Sequence, residues 1–181
     1  MKKIILLCIA FITLAYGYNY DDLVLKAQAS IFPKIMLLDK KLKEKLIDGK
    51  IVYAIVYDAS DYATAVEIRD FIDTEYQGHW GNYAYEIKLI EFTAFCDEVQ
   101  ASAIYVLNSN ENIAKVAQIS KDKGIVAFSY DVNNLKYGLS FSLMLEKSTV
   151  LYLNKNDLYT NRADFVDDLL QIVKFIDEEK V

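Results

Sequence analysis

The chain predicts an α/β fold: a three-layer sandwich whose mixed sheet is mostly parallel, with a C-terminal antiparallel hairpin and a closing helix. Three observations carry that expectation. Short apolar runs rich in β-branched residues at 50–57, 102–107 and 125–130 read as strands covered on both faces. Stretches with helical spacing lie between them, as strand–helix–strand units require. Two apolar segments, 139–145 and 149–153, flank Glu146-Lys147-Ser148 and read as a hairpin.

The elements follow in order. Asp21 or Asp22 caps a first helix, with Leu23, Ala27 and Ile31 on one face. Pro33 should end or kink it. A second helix is expected over 38–46, with Leu38, Leu42 and Leu46 inward and Lys40, Lys41, Lys43 and Lys45 solvated; Gly49 closes it. After the strand at 50–57 come Asp58, Ser60 and Asp61, all N-cap types, then a helix marked by Ala65, Ile68 and Ile72 that ends near Gly78. In 83–92, Tyr83, Tyr85, Ile87 and Leu89 alternate with Ala84, Glu86 and Lys88, which indicates a strand with an exposed face or an edge position.

Strand 102–107 leads into Asn108, Ser109 and Asn110, which are expected to cap a helix carrying Ile113, Val116, Ala117 and Ser120 inward. Gly124 suits its C-terminus. Strand 125–130, a turn over 131–136 and the hairpin follow. A last helix starts near Asn161 and buries Phe165, Leu169, Ile172, Val173 and Ile176.

Residues 1–17 have the form of a secretory signal peptide. Lys2 and Lys3 precede an apolar run at 4–14, and Ala15-Tyr16-Gly17 ends it small-x-small. The run is too short to cross a bilayer; its alternative reading is a buried N-terminal strand or helix. Cleavage after Gly17 leaves one domain, residues 18–181, outside the cytoplasm. Cys8 leaves with the leader, and the bulky Leu7 before it argues against lipidation. Cys96 is then unpaired, which excludes an intramolecular disulfide. Its neighbour Phe95 points to burial.

The formal net charge is −6 and becomes −8 without Lys2 and Lys3. An acidic chain repels phosphate backbones, so nucleic acid is not an expected partner. Fourteen tyrosines give weak support for a protein partner, since tyrosine joins contact area to a polar tip.

Several short motifs together resemble the YfiR-like family of exported bacterial proteins. They are Leu25-Lys26-Ala27 with Ile31-Phe32 and Lys34, then Gly138-Leu139-Ser140-Phe141, then 150–154 ending in Asn154, then Leu169-Leu170. The resemblance implies a periplasmic, non-enzymatic regulator. Such a protein binds the sensor domain of an inner-membrane diguanylate cyclase or sensor kinase and modulates its output. Where the family often carries Cys-His at the start of a central strand, this chain has Ser102-Ala103. Redox control by paired cysteines is therefore not carried over. The candidate partners are a membrane-anchored signalling protein, a second copy as a homodimer, and a small ligand.

Two groups of residues are candidate sites. Ligands of open α/β sheets settle beyond the carboxyl ends of the strands. There the chain places Asp58, Ser60, Asp61, Asn108, Ser109 and Asp131, suited to a small polar or cationic ligand. Each is also an ordinary cap or turn residue. The other group is His79 and Trp80, the only histidine and tryptophan, in a Gly-flanked loop that reads as a partner contact. Folding of Trp80 onto the core is the competing reading.

No catalytic residue, cofactor or metal is expected. A glycine-rich phosphate loop and a Cys/His cluster are both missing from the sequence. Asn154 and Asp157 fall short of a calcium loop. Asp164, Asp167 and Asp168 suit the start of the last helix. A periplasmic small-ligand binder is the alternative function, and a hydrolase a more remote one.

Overall fold

The computed structural model describes residues 18–159 and 163–177. The expected leader, with Cys8, and the expected helix start at Asn161 lie outside them. In chain order the elements are α1 (Asp22–Met36), β1 (Ile51–Tyr57), α2 (Tyr62–Tyr76), β2 (His79–Trp80), β3 (Tyr83–Glu91) and β4 (Ala103–Val106). Then come α3 (Ile113–Asp122), β5 (Val126–Ser129), β6 (Phe141–Leu145), β7 (Thr149–Asn154), α4 (Asp167–Ile172) and β8 (Lys174–Ile176).

The strands form one sheet in the order β2-β3-β1-β4-β5-β6-β7-β8. Pairs β2–β3 and β6–β7 are antiparallel, and the other five are parallel. The fold class is the one the sequence predicts. One face of the sheet carries α1 and α2 over Tyr53, Ile55, Tyr105 and Phe128. The other carries α3 over Ala54, Val56, Ile104 and Val106. Every residue of β1 is buried, which accounts for its unbroken apolar run.

Helix α1 departs from expectation twice. It buries Leu25, Gln28, Ala29, Phe32, Ile35 and Met36, whereas Leu23 is 68% exposed. The buried stripe contains larger side chains than Leu23, Ala27 and Ile31, but Gln28 breaks its apolar pattern in the sequence. The helix also runs on past Pro33 to Met36. An interior proline costs about 3 kcal/mol. Burying Phe32, Ile35 and Met36 returns about 1.5–3 kcal/mol each, so packing wins. The Ser30 carbonyl, in the turn before the proline, accepts a hydrogen bond from the Tyr76 hydroxyl.

The helix expected over 38–46 is replaced by a turn and one short 3-10 segment, Leu42–Lys45. Asp39 drives this. Its buried carboxylate accepts the N–H groups of Lys41 (3.0 Å) and Asp164 (2.9 Å) and the Lys45 ammonium (2.6 Å). Lys45 is thus drawn inward, its side chain 13% exposed, and is not part of a solvated face.

The last helix is shorter than expected. It stops at Ile172, which is 72% exposed, and the chain turns extended at Val173 to pair β8 in parallel with β7. The free edge of β7 offers backbone groups that a strand satisfies and a helix cannot. Phe165 and Leu169 are buried as expected.

Cys96 is exposed, against the expectation of burial. The backbone is extended at Phe95, so consecutive side chains point to opposite sides, and Phe95 takes the core.

Candidate functional site

The strand order reverses at β1 and β4. From β1 the chain passes through α2 to β3 on one side, then returns to β4 on the other. The segment β3-β1-β4-β5-β6 follows the doubly wound order 2-1-3-4-5, whose ligand crevice lies outside the carboxyl ends at this reversal. Asp58 and Asp61 follow β1 there, and Asn108 and Ser109 follow β4.

The crevice is crossed by the segment that leads into α1. The Tyr20 hydroxyl donates to Asp61 Oδ2 (2.7 Å) and accepts the Asn108 N–H (3.1 Å), so one phenol joins the ends of β1 and β4. Its ring meets Tyr130, at the end of β5, edge-on with centroids 4.7 Å apart. The Tyr130 hydroxyl accepts the Asp21 N–H (2.9 Å). Tyr18 adds two contacts: its N–H donates to Asp61 Oδ1 (3.3 Å) and its hydroxyl to Asn110 Oδ1 (2.6 Å). Burial, then the hydrogen bond to Asp61, holds the Tyr20 phenol far above the usual tyrosine range. It is a fixed, neutral donor at physiological pH.

The strand-end candidates separate into four environments. Asp58, Ser60 and Ser109 come together, with Tyr18, Asn110, Glu111 and Asn112, around an open hollow of about 260 Å³. Asp58 is shifted upward, first by burial and then by the like charges of Asp61 and Glu111, against a hydrogen bond from Ser109. Asp61 is only 2% exposed and is engaged by Tyr18 and Tyr20; it does not cap α2 with its side chain. Asn108 faces away, accepting Asn134 Nδ2 through its side-chain oxygen (3.2 Å).

Asp131 sits elsewhere and caps the turn after β5, accepting from Asn133 N (2.9 Å) and Nδ2 (3.0 Å). It also borders a second, apolar hollow of about 150 Å³. Val24 of α1, Val132, and Leu143, Met144 and Leu145 of β6 line that hollow with Tyr130. The expected capping of α3 by Asn108, Ser109 and Asn110 is not seen: the helix starts at Ile113 after Asn112 with no side-chain cap, and the Ser109 hydroxyl only accepts the Asn112 N–H (3.3 Å) ahead of it.

His79 and Trp80 part company. His79 is exposed at the start of β2. Trp80 is wholly buried between Tyr53, Tyr76 and Tyr85, with centroids 5.1, 6.0 and 5.0 Å away. The alternation of β2 points one side chain to water and the next to the core. Trp80 is therefore a core residue and not a surface anchor.

Sequence reasoning missed Tyr18, Tyr20 and Gln28. The tyrosines carry no local signal of their destination, because their partners lie 41 to 92 residues away. Among the described residues no group of three or more His, Cys, Asp and Glu is arranged to hold a metal ion.

No family profile and no curated protein matches the chain. Among the solved structures that resemble it are the following two. One is a conserved domain protein from Vibrio cholerae O1 biovar El Tor strain N16961, with a TM-score of 0.58 and 13% identity. The match covers 83% of this chain and 59% of that one. The other is the ABC domain from Streptococcus pneumonia in complex with L-Trp, with a TM-score of 0.50 and 9% identity. It covers 76% of this chain and 60% of that one. The chain thus spans about three-fifths of each structure's length. At these identities the likeness is one of fold.

Proposed function

We propose that the chain is an exported, non-enzymatic regulator of the YfiR-like kind. In the periplasm it binds the sensor domain of an inner-membrane signalling protein, a diguanylate cyclase or a sensor kinase, and modulates its output. The observation that carries this reading is the apolar hollow between α1 and β6. Met144 (37% exposed) and Leu145 (37%) leave apolar surface in its lining, and Leu23 (68%) precedes the lining residue Val24 in α1. Asp131 lines it, and Asp21 is joined to its lining through the Tyr130 hydroxyl. Such a surface fits an apolar side chain inserted from a partner whose rim is basic. Crosslinking and capture of the mature protein from membranes of its own cells tests this. Recovery of one membrane receptor, cyclase or kinase, lost in Leu23→Asp or Met144→Asp, is the expected result. Recovery of no membrane protein overturns it.

A second reading, a small-ligand binder, has its own support. Asp58, Ser60 and Ser109 converge on the hollow at the strand-order reversal. Its acidic lining suits a cationic amine. A thermal-shift screen of amines separates the readings, because only a ligand binder gains stability from one of them.

A further inference from the structure

Asp61 presents an electrostatic problem. Its carboxylate is buried, and Asp58 lies close enough for the two like charges to repel. Among the described residues no lysine or arginine forms an ion pair with it. A buried carboxylate normally has a cationic partner. What stands at its Oδ1 is the Tyr18 backbone nitrogen, 3.3 Å away. Tyr18 is the residue that cleavage after Gly17 would make the first of the mature chain.

We propose that Asp61 is the binding site for the chain's own processed α-amino group. This rests on the exported reading above. Hydrolysis of the Gly17–Tyr18 peptide bond adds water across it, leaving a carboxylate on Gly17 and an amine on Tyr18 that takes up a proton. The nitrogen that donated to Asp61 as a neutral amide then does so as an ammonium, with no movement of the chain. Charge-assisted hydrogen bonds are roughly twice as strong as neutral ones. The Tyr20 hydroxyl already holds the other carboxylate oxygen, and Tyr18 and Tyr20 together fasten the entering segment across the ends of β1 and β4.

The site gives processing a structural consequence. The precursor contains every residue of the domain but not the cation that Asp61 requires. It therefore folds less stably before the leader is removed than after. A chain that must cross a membrane unfolded gains from that order of events.

The test uses the full chain, exported with its own leader. Intact mass fixes the first residue. Timed acetylation with acetic anhydride, with and without urea, then reads the reactivity of the α-amino group. The expected results are a chain beginning at Tyr18 and an amine at least ~10-fold slower to react when folded. One glycine inserted before Tyr18 should lower Tm by about 5–10 °C. In Asp61→Asn the same insertion should have no effect. A first residue other than Tyr18 overturns the processing premise and the site with it. A chain beginning at Tyr18 whose amine reacts equally fast folded and unfolded overturns the ion pair alone, and that comparison needs no variant to fold. An insertion effect that persists undiminished in Asp61→Asn also overturns the pair.

Discussion

Replacing Gln28 by methionine should destabilise the protein by several kcal/mol although volume is conserved. Gln28 is fully buried on α1 and uses both polar atoms of its amide. Its Nε2 donates to the carbonyls of Tyr130 (2.9 Å) and Leu143 (2.8 Å), and its Oε1 accepts the Tyr105 hydroxyl. The β5–β6 ladder ends at Ser129–Ser142, so the Gln28 amide serves where a further strand residue would. Methionine removes all three bonds. The Tyr130 carbonyl retains the Ser142 hydroxyl at 3.3 Å, but the Tyr105 hydroxyl and the Leu143 carbonyl lose this buried partner. Each stranded group costs about 1–3 kcal/mol, so the expected loss is about 2–6 kcal/mol. That is a large part of a typical domain's stability of about 5–15 kcal/mol. Urea unfolding followed by circular dichroism should show a lower midpoint with an unchanged slope. Adding Tyr105→Phe to Gln28→Met removes one stranded group and should recover part of the loss. A Gln28→Met protein within about 0.5 kcal/mol of the natural one refutes the reasoning, because ordinary surface exchanges do no more.

Other consequences are as direct. Asp39→Ala strands the Lys45 ammonium and the N–H groups of Lys41 and Asp164. It should cost about 3 kcal/mol, the lower end for breaking a buried pair, as Lys45 keeps some access to water; an unchanged urea midpoint counts against it. The Tyr85 phenol is pushed up to about 12 by burial and then by its hydrogen bond to Asp73. Tyr20 and Tyr76 are raised further, with burial the first cause for both. The sign follows from folded values above the unfolded value of about 10. The neutral phenols contribute their full stability below pH ~10, and it is lost as pH rises through about 12. Urea midpoints that stay level from about pH 9 to 12 would contradict this. Exposed Cys96 should react with a thiol reagent in the native protein without denaturant, and protection until unfolding would place the side chain inside.

The sheet was legible because its signal is local. An unbroken apolar run such as 50–57 has few homes other than a central strand, and β1 is one. The alternation over 83–92 is likewise explained by β3, which only the two-residue β2 covers on its outer side. What was not legible depends on distant partners. Nothing near Asp39 announces that it will receive an N–H from Asp164, and this contact decides that 38–46 is not a helix. The stretch 172–176 has helical spacing and strand-forming residues together, and the free edge of β7 decides between them. The same holds for the site. Its position at the strand ends follows from topology and is readable. The tyrosines that cross it are not, because a phenol's destination is written in the three-dimensional arrangement of its acceptors.

Trp80 has a consequence of an optical kind. It is the only tryptophan in a chain with fourteen tyrosines, and three of those rings lie within 6.0 Å of it. Tyrosine light absorbed nearby passes to the indole, whose shielded ring emits toward the blue. The molecule therefore carries one native fluorophore fed by its neighbours. Its colour reports water reaching the β1–β2–β3 corner of the core, where Tyr53, Trp80 and Tyr85 meet.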